Sequence, residues 1–340
     1  MLMLTTSEFK PAFWLRNPHA QTLFASQIRA RPPLTVVPER LELEDGDFID
    51  LSWLPEADLA ADAPLVVVLH GLNGSIESKY ARGLLRQVAA HGARGVLMHF
   101  RGAAQPNRLS RSYHSGETGD LTTVLARLRE RYPRAPLGAV GYSLGGNVLL
   151  KYLGEQGGDA PLSCAVAVSV PYDLEICAHA IQHGFSRLYQ THLINGMREI
   201  VEAKVRAGII DRPLPDLREL RDFPSFDNAI TAPLNGFADA QDYYARASSR
   251  GFLKHIRTPT LVLHARDDPF MTPDVVPRAD ELSDAIRLEL SAHGGHVGFV
   301  SGGRLGTPVY WLEERIPSYF RGRLPGFEPV AEDSPVGETG

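Results

Sequence analysis

Between residues 63 and 171, short continuous apolar runs alternate with longer stretches that have helical spacing. The apolar runs are "APLVVVLHG", "GVLMHFRG", "PLGAVGYS" and "SCAVAVSVP". Runs of this kind are typical of parallel strands that are covered on both faces. Strands that alternate with helices join into a parallel sheet through right-handed crossovers. The pattern therefore predicts an α/β fold with a mostly parallel central sheet and helices on both faces.

The alternation stops after Pro171. Residues 172–250 contain helical stretches but no clear strand, and the sheet resumes with "TPTLVLHARDDP" and "AIRLELSAHGGH" before a closing helix, "TPVYWLEERIPSYF". We therefore predict a core of residues 39–171 and 251–323 with a helical cap insertion over 172–250. Such an insertion lies over the carboxyl ends of the strands, where open sheets bind ligands. We expect the cap to shape a substrate pocket; the alternative is a surface excursion with no role in binding.

The two ends of the chain have different compositions. Residues 1–38 contain several aromatic residues and prolines, and they predict an arm or short helix packed on the core. Apolar residues alternate on both sides of Asp45-Gly46, which predicts a β-hairpin. Residues 324–340 are rich in Pro, Gly and Glu and predict a flexible tail.

Composition narrows the possible partners and the location. The 340 residues carry a formal net charge of -5 and include no long basic tract, so we expect neither nucleic acid nor an anionic membrane surface as a partner. No apolar run is long enough for a membrane-spanning helix, and the N-terminus lacks the features of a signal peptide. Cys164 and Cys177 are expected to be free core residues, which fits a cytoplasmic location. The oligomeric state stays open.

One serine stands in a pattern that implies nucleophilic chemistry. Ser143 lies in "GYSLG", after a predicted strand and before a predicted helix. A serine on such a tight turn projects its hydroxyl above the sheet, and a glycine two residues away on each side lets the neighbouring backbone come close. The five-residue pattern is common by itself, but this strand-turn-helix context favours a catalytic nucleophile.

A serine nucleophile needs a base, and the base needs an orienting acid. The strand "PTLVLHA" leads to the adjacent pair Asp267 and Asp268, whose side chains must point in different directions. Asp268 precedes Pro269, an arrangement seen at strand ends of folds of this kind, so we predict that Asp268 is the acid. Asp267 is then assigned to a turn or a helix cap.

The base follows the acid when the chain order is Ser, Asp, His. His255 precedes the candidate acid, and His264 lies inside a predicted strand, so both are assigned structural places. His296 follows two glycines just past a strand end, on a loop that can turn its ring toward Ser143. We therefore predict His296 as the base and keep His293 as the alternative.

Acyl transfer also needs donors for the developing oxyanion. The backbone N–H of Leu144, which follows the nucleophile, is one candidate. The other is the N–H of Leu72 in the loop "LHGLNGS", in which His70 is expected to be structural. The late histidines and the aspartate pair could together bind a metal, but the catalytic assignment explains the same residues. We therefore predict no metal and no cofactor.

Several of these segments together resemble a known family. The motifs "HGLNG", "GYSLGGN", "ARDDPF" and "GGHVGF", in this order, resemble those of the α/β-hydrolases. The phrases "FWLRNPHAQTL", "FRG" and "TAPLNGFADAQDYYARAS" are similar to the YheT-like hydrolases, bacterial relatives of the ABHD1/2/3 lipases and esterases. The resemblance covers roughly residues 9–320. It implies the α/β-hydrolase fold, a triad of Ser143, Asp268 and His296, and hydrolysis of short- or medium-chain acyl esters or lipids.

The sequence thus predicts a serine esterase that acts on a small-molecule acyl ester. Two alternatives remain: an acyltransferase that uses the same acyl-enzyme, and a non-catalytic ligand-binding protein. Four aromatic residues of the predicted cap suggest an apolar pocket, although aromatic residues of this kind more often form the cap's own core than contact substrate. They are Phe185, Tyr189, Phe223 and Tyr243.

Overall fold

The computed structural model describes residues 3–56, 59–302 and 307–330. It contains a nine-stranded sheet with the strand order β1-β9-β8-β7-β6-β4-β5-β3-β2. These strands are β1 (Leu4–Thr6), β2 (Val37–Glu42), β3 (Phe48–Trp53), β4 (Leu65–Leu69), β5 (Arg94–Met98), β6 (Leu137–Tyr142), β7 (Cys164–Val168), β8 (Thr260–Ala265) and β9 (Ile286–Ser291). A separate antiparallel pair is formed by β10 (Val300–Ser301) and β11 (Val309–Tyr310).

The α-helices lie on both faces of the sheet and above the carboxyl ends of its parallel strands. They are α1 (Pro18–Leu23), α2 (Lys79–Ala90), α3 (Thr118–Arg131), α4 (Leu144–Gln156), α5 (Leu174–Ala180), α6 (Ser186–Arg206), α7 (Phe223–Phe226), α8 (Ala232–Leu234), α9 (Ala240–Ala247) and α10 (Leu312–Arg321). Two π-helical segments, Phe24–Ile28 and Asp227–Thr231, directly follow α1 and α7. No helix in the described part of the chain is long and apolar enough to cross a membrane.

The central strands are parallel and buried on both faces, which confirms the predicted α/β architecture. In β4, Leu65, Val67 and Leu69 pack into the core beneath α3 and α4. Val66 and Val68 point the other way, into the core beneath α2 and α10. Successive side chains of a strand point to opposite faces, so a strand covered on both sides must be apolar throughout.

The predicted hairpin is present at one edge of the sheet. β2 pairs antiparallel with β3 around a turn in which Gly46 has a φ of 83°, and β3 pairs antiparallel with β5. Glycine adopts this left-handed conformation without the steric cost that a Cβ would bring. The sheet is therefore parallel except at this edge.

The opposite edge differs from the prediction for residues 1–38. β1 lies in that arm and pairs in parallel with β9, with Leu4 opposite Leu288, so the arm contributes a strand to the main sheet. A strand of three residues is too short to show a period of two in the sequence. The closing helix also begins later than expected, at Leu312, because Val309–Tyr310 pairs with Val300–Ser301.

The C-terminal segment is packed where a flexible tail was expected. The side chains of Leu324 and Phe327 are buried in the core cluster of α2 and α10, and the Val330 N–H donates to the Ala90 carbonyl. The Pro- and Gly-rich composition predicted a flexible tail because it gives no signal for the burial of these two side chains. Residues 331–340, the remainder of the predicted tail, lie outside the described residues.

The predicted cap region corresponds to a continuous helical part of the structure. Residues 169–259, all of which are described, connect β7 to β8 and contain α5 to α9 but no strand. Because β7 and β8 are adjacent parallel strands, this segment starts at the carboxyl edge of the sheet. Its helices form two apolar clusters of their own.

Candidate active site

Ser143 lies at a sharp corner between β6 and α4. Its φ of 51° and ψ of -118° place it in a strained region for a residue with a Cβ, and its N–H donates to the Val168 carbonyl at 2.8 Å. A Cβ on Gly141 would overlap the Gly145 carbonyl oxygen, and one on Gly145 would lie 2.6 Å from the Leu69 carbonyl oxygen. The two glycines therefore permit the corner.

The three residues predicted as nucleophile, base and acid form one connected series of hydrogen bonds. His296 Nε2 lies 2.9 Å from Ser143 Oγ, and His296 Nδ1 lies 2.8 Å from Asp268 Oδ2. The other oxygen of Asp268 accepts the Phe270 N–H at 2.9 Å. The Phe270 ring stacks on the imidazole, with centroids 4.0 Å apart and an interplanar angle of 6°. The acid is buried and the imidazole nearly so.

The two alternative residues form a separate pair. His293 Nδ1 lies 3.1 Å from Asp267 Oδ2, and Asp267 Oδ1 accepts the Gly295 N–H at 3.0 Å. The His293 side chain is 48% exposed, so this pair braces the loop from its solvent side. Among residues 3–56, 59–302 and 307–330, no group of three or more His, Cys, Asp or Glu side chains is arranged to hold a metal ion.

Both candidate oxyanion donors have amides available for a ligand. Leu144 is the first residue of α4, so its N–H has no acceptor within the helix. The Leu72 N–H has no acceptor among the described residues. His70 is structural, as expected: it contacts the Gly71 carbonyl through Nδ1 at 2.7 Å and accepts the Phe100 N–H through Nε2. Burial lowers the pKa of His70 to about 3, so its ring is neutral.

The loop that carries His296 rests on the N-terminal arm, a contact that sequence reasoning missed. The His296 N–H donates to Thr22 Oγ1 at 2.9 Å, and the Val297 N–H donates to Ser169 Oγ at 3.1 Å. A Cβ on Gly295 would overlap the Pro18 carbonyl oxygen. The only signal for this contact was the resemblance of "FWLRNPHAQTL" to a family motif.

A cavity of about 750 Å³ opens at Ser143 and His296. The four cap aromatics Phe185, Tyr189, Phe223 and Tyr243 all line this cavity, so they form part of the apolar pocket that the sequence suggested and not only the cap's own core. Much of the remaining cap-side wall is aliphatic, and it includes Leu188, Leu193 and Met197. Across from the cap, the wall is formed by residues of the N-terminal arm and of α2.

Sequence reasoning also missed an acidic side chain in the cavity wall. Asp227 is 4% exposed, and its two oxygens accept hydrogen bonds from Thr231 Oγ1 at 2.6 Å and from the Tyr244 hydroxyl at 2.8 Å. Burial raises the pKa of this carboxyl to about 6. Nothing in its local sequence distinguishes it from a surface aspartate.

The sheet, the serine corner and the helical insertion define an α/β-hydrolase. The α/β hydrolase fold family model matches residues 64–303, and the chain belongs to that family. Esterase Pf2001 of Pyrococcus furiosus has the same fold: it aligns with a TM-score of 0.52 at 16% identity, over 86% of this chain and 100% of that one.

Within the family, the chain belongs to the YheT- and ABHD-like hydrolases. It is 44% identical over 318 residues to YheT of Escherichia coli (strain K12), and the match covers 93% of each chain. The name of that relative describes it provisionally as an esterase. It is 29% identical to phospholipase ABHD3 of Mus musculus over 88% of this chain and 75% of the relative. It is 30% identical to monoacylglycerol lipase of Saccharomyces cerevisiae, over 69% and 55% of the two chains.

Proposed function

We propose that this protein is a serine esterase that hydrolyses carboxylic esters through an acyl-enzyme. The observation that carries the proposal is the unbroken hydrogen-bonded series from Ser143 through His296 to Asp268, at the mouth of an apolar cavity. The names of the relatives, which include a provisionally named esterase, a phospholipase and a monoacylglycerol lipase, support ester hydrolysis as the reaction.

In the first half of the reaction, Ser143 Oγ attacks the carbonyl carbon of the ester. His296 Nε2 takes the serine proton, and Asp268 holds the ring by its Nδ1–H and stabilises the imidazolium. The carbonyl oxygen becomes an oxyanion, which receives the N–H groups of Leu72 and Leu144. His296 then protonates the leaving alcohol, and the acyl group stays on Ser143.

In the second half, water takes the place of the alcohol. His296 removes a proton from the water, whose oxygen attacks the acyl carbon, and the same two amides stabilise the second oxyanion. The tetrahedral intermediate collapses, His296 returns the proton to Ser143 Oγ, and the carboxylic acid leaves. The N-terminus of α4 points its partial positive charge at both oxyanions.

The apolar lining of the cavity supports the proposal that the enzyme recognises its substrate by an apolar acyl group. Aliphatic and aromatic side chains of α5, α6 and α7 line the cap side of the cavity, and they would cover a short or medium acyl chain. Burial of each methylene there contributes about 0.8 kcal/mol of binding free energy. We therefore expect kcat/KM to rise with acyl length until the cavity is filled.

The test is hydrolysis of p-nitrophenyl acyl esters by the wild-type protein and by Ser143→Ala. We expect the variant to lose a thousandfold or more of kcat, on the order seen when a triad serine is removed. Ser110→Ala, which changes an exposed serine outside the cavity lining, serves as the matched control. Retention of activity by Ser143→Ala would overturn the nucleophile assignment.

Two further measurements separate the alternatives. A fluorophosphonate probe should label the wild type and not Ser143→Ala, whereas an unlabelled wild type would favour a non-catalytic ligand-binding protein. Product analysis with a competing alcohol should give mainly free acid; mainly the new ester would identify an acyltransferase.

A further inference from the structure

A side-chain hydrogen bond joins the loop that carries Leu72 to the cap. Asn73 follows Leu72 directly, and its Nδ2 donates to the Leu193 carbonyl in α6 at 2.9 Å. Its own backbone N–H donates to the Tyr113 hydroxyl at 3.0 Å. The residue next to the candidate oxyanion donor is therefore held from two sides, and one of these contacts belongs to the cap.

The backbone of this loop depends on Asn73. The Gly74 N–H donates to the Gly71 carbonyl at 2.9 Å, which closes a turn with Leu72 and Asn73 at its two central positions. Asn73 has a φ of 55°, a conformation that asparagine and glycine tolerate better than other residues. The turn sets the direction of the Leu72 N–H, so a shift of Asn73 would re-aim the donor.

The cap helix is shaped to receive this side chain. A Cβ on Gly196 of α6 would overlap the Asn73 amide nitrogen and would lie 2.7 Å from its Cγ. Asn73 Oδ1 is buried and has no hydrogen-bond partner among the described residues, so the side chain is fixed only through its NH₂ group. The contact thus needs a donor on Asn73 and a glycine on α6.

We propose that Asn73 is a positioning residue that couples the seating of α6 to the geometry of the oxyanion hole. When α6 is seated, the bond from Asn73 to Leu193 holds the Leu72 N–H in its productive direction. When that bond is absent, the turn loses its cap contact and the donor is misaimed. The inference rests on the proposed function, because it assigns Asn73 a part in stabilising the oxyanion.

Substitutions at Asn73 separate the hydrogen bond from the backbone conformation. Asn73→Gly keeps the left-handed backbone accessible and removes the carboxamide, whereas Asn73→Asp keeps the shape and places an oxygen against the Leu193 carbonyl. Removing an oxyanion donor outright costs roughly a hundredfold to a thousandfold in kcat, so misaiming one should cost about tenfold or more in both variants. KM should stay within about twofold, because the donor acts in the transition state.

A second variant acts from the cap side. Gly196→Ala pushes the Asn73 side chain out of its seat and should reproduce the loss of kcat. Asn235→Gly is the matched control, because Asn235 Nδ2 also donates to a cap carbonyl, that of Thr231, at 2.8 Å, whereas the described residues show no hydrogen bond between Asn235 and residues 69–75. We expect this control to keep wild-type kcat.

An alkylboronic acid, which forms a tetrahedral adduct with the serine, reports on the oxyanion hole directly. Its affinity should fall in Asn73→Gly and Asn73→Asp by the same factor as kcat/KM for a p-nitrophenyl ester. Wild-type kcat and boronate affinity in Asn73→Asp, together with an inactive Ser143→Ala, would overturn this inference alone. An active Ser143→Ala would instead overturn the proposed function. Parallel losses of kcat and boronate affinity in folded variants, checked by circular dichroism, would support the coupling.

Discussion

The candidate base depends on a residue outside the hydrogen-bonded series of Ser143, His296 and Asp268. Thr22 Oγ1 accepts the His296 N–H and donates to the Pro18 carbonyl, so the N-terminal arm fixes the backbone that carries the imidazole. Thr22→Val keeps the side-chain shape but leaves that partly buried N–H without an acceptor, at a cost of about 1–3 kcal/mol. We expect kcat for p-nitrophenyl butyrate to fall about tenfold, because a displaced imidazole transfers the proton less well.

Thr22→Ser is the control for this prediction, since it keeps the hydroxyl. It should retain wild-type kcat. If Thr22→Val were as active as Thr22→Ser, the arm would have no part in positioning His296.

A second prediction at this scale concerns the buried carboxyl of Asp227. Its pKa of about 6 in the folded protein lies above the ordinary value of 3.8. Between these values the folded state binds more protons than the unfolded state, so stability falls as pH rises from about 4 to about 6 and stays lowered above that. The difference corresponds to about 3 kcal/mol at neutral pH.

Asp227→Asn removes the ionisable group and keeps its size. We therefore expect the variant to be more stable than the wild type at pH 7.5, and to lose most of this advantage at pH 4.5. Urea unfolding at the two pH values measures the difference. An equal difference at both values would show that ionisation of Asp227 does not limit stability.

At the scale of secondary-structure elements, the cap is where specificity is expected to arise. Met197 of α6 lines the cavity and packs against the apolar cluster of the cap. Met197→Trp adds bulk inside the cavity, so kcat/KM for p-nitrophenyl octanoate should fall about tenfold relative to that for the acetate. Met197→Leu conserves volume and should keep the wild-type ratio. A uniform loss on both esters would place the acyl chain elsewhere.

The elements of the core were predictable because each has a strong local signal. The buried strands are continuous apolar runs, and Ser143, Asp268 and His296 all lie just beyond strand ends, where the sequence pattern located them. β1, β10 and β11 were missed because strands of two or three residues have no readable period.

Other features of the site were not predictable because they depend on contacts between distant segments. Thr22 meets His296, and Asn73 meets Leu193, only after the arm and the cap fold onto the sheet. The sequence motifs contain Thr22, His296 and Asn73 but no signal that joins any of them to its partner. The environment of Asp227 likewise depends on Tyr244, which lies in a different helix of the cap.

At the scale of the whole molecule, the carboxyl ends and the amino ends of the central strands have different roles. The carboxyl end of β6 carries Ser143, and there the core, the cap and the N-terminal arm meet. Near the start of β6, a Cβ on Gly138 would lie 3.2 Å from Leu324 Cδ2, so the C-terminal segment covers the opposite end. Phe327 is fully buried there, where its ring stacks on His91 and meets Phe320 edge-on.

This separation predicts that stability and activity can be changed independently. Phe327→Ala leaves a cavity in the core between α2 and α10 and should lower the free energy of unfolding by about 3–5 kcal/mol. The control Phe13→Ala truncates a ring that is 63% exposed and should change it by less than about 1 kcal/mol. Urea unfolding measures both changes.

Well below the melting temperature, kcat/KM of Phe327→Ala should equal that of the wild type, because the lost contacts lie at the other end of β6 from Ser143. A large loss of kcat/KM in the folded variant would show that the C-terminal packing also sets the geometry of the site.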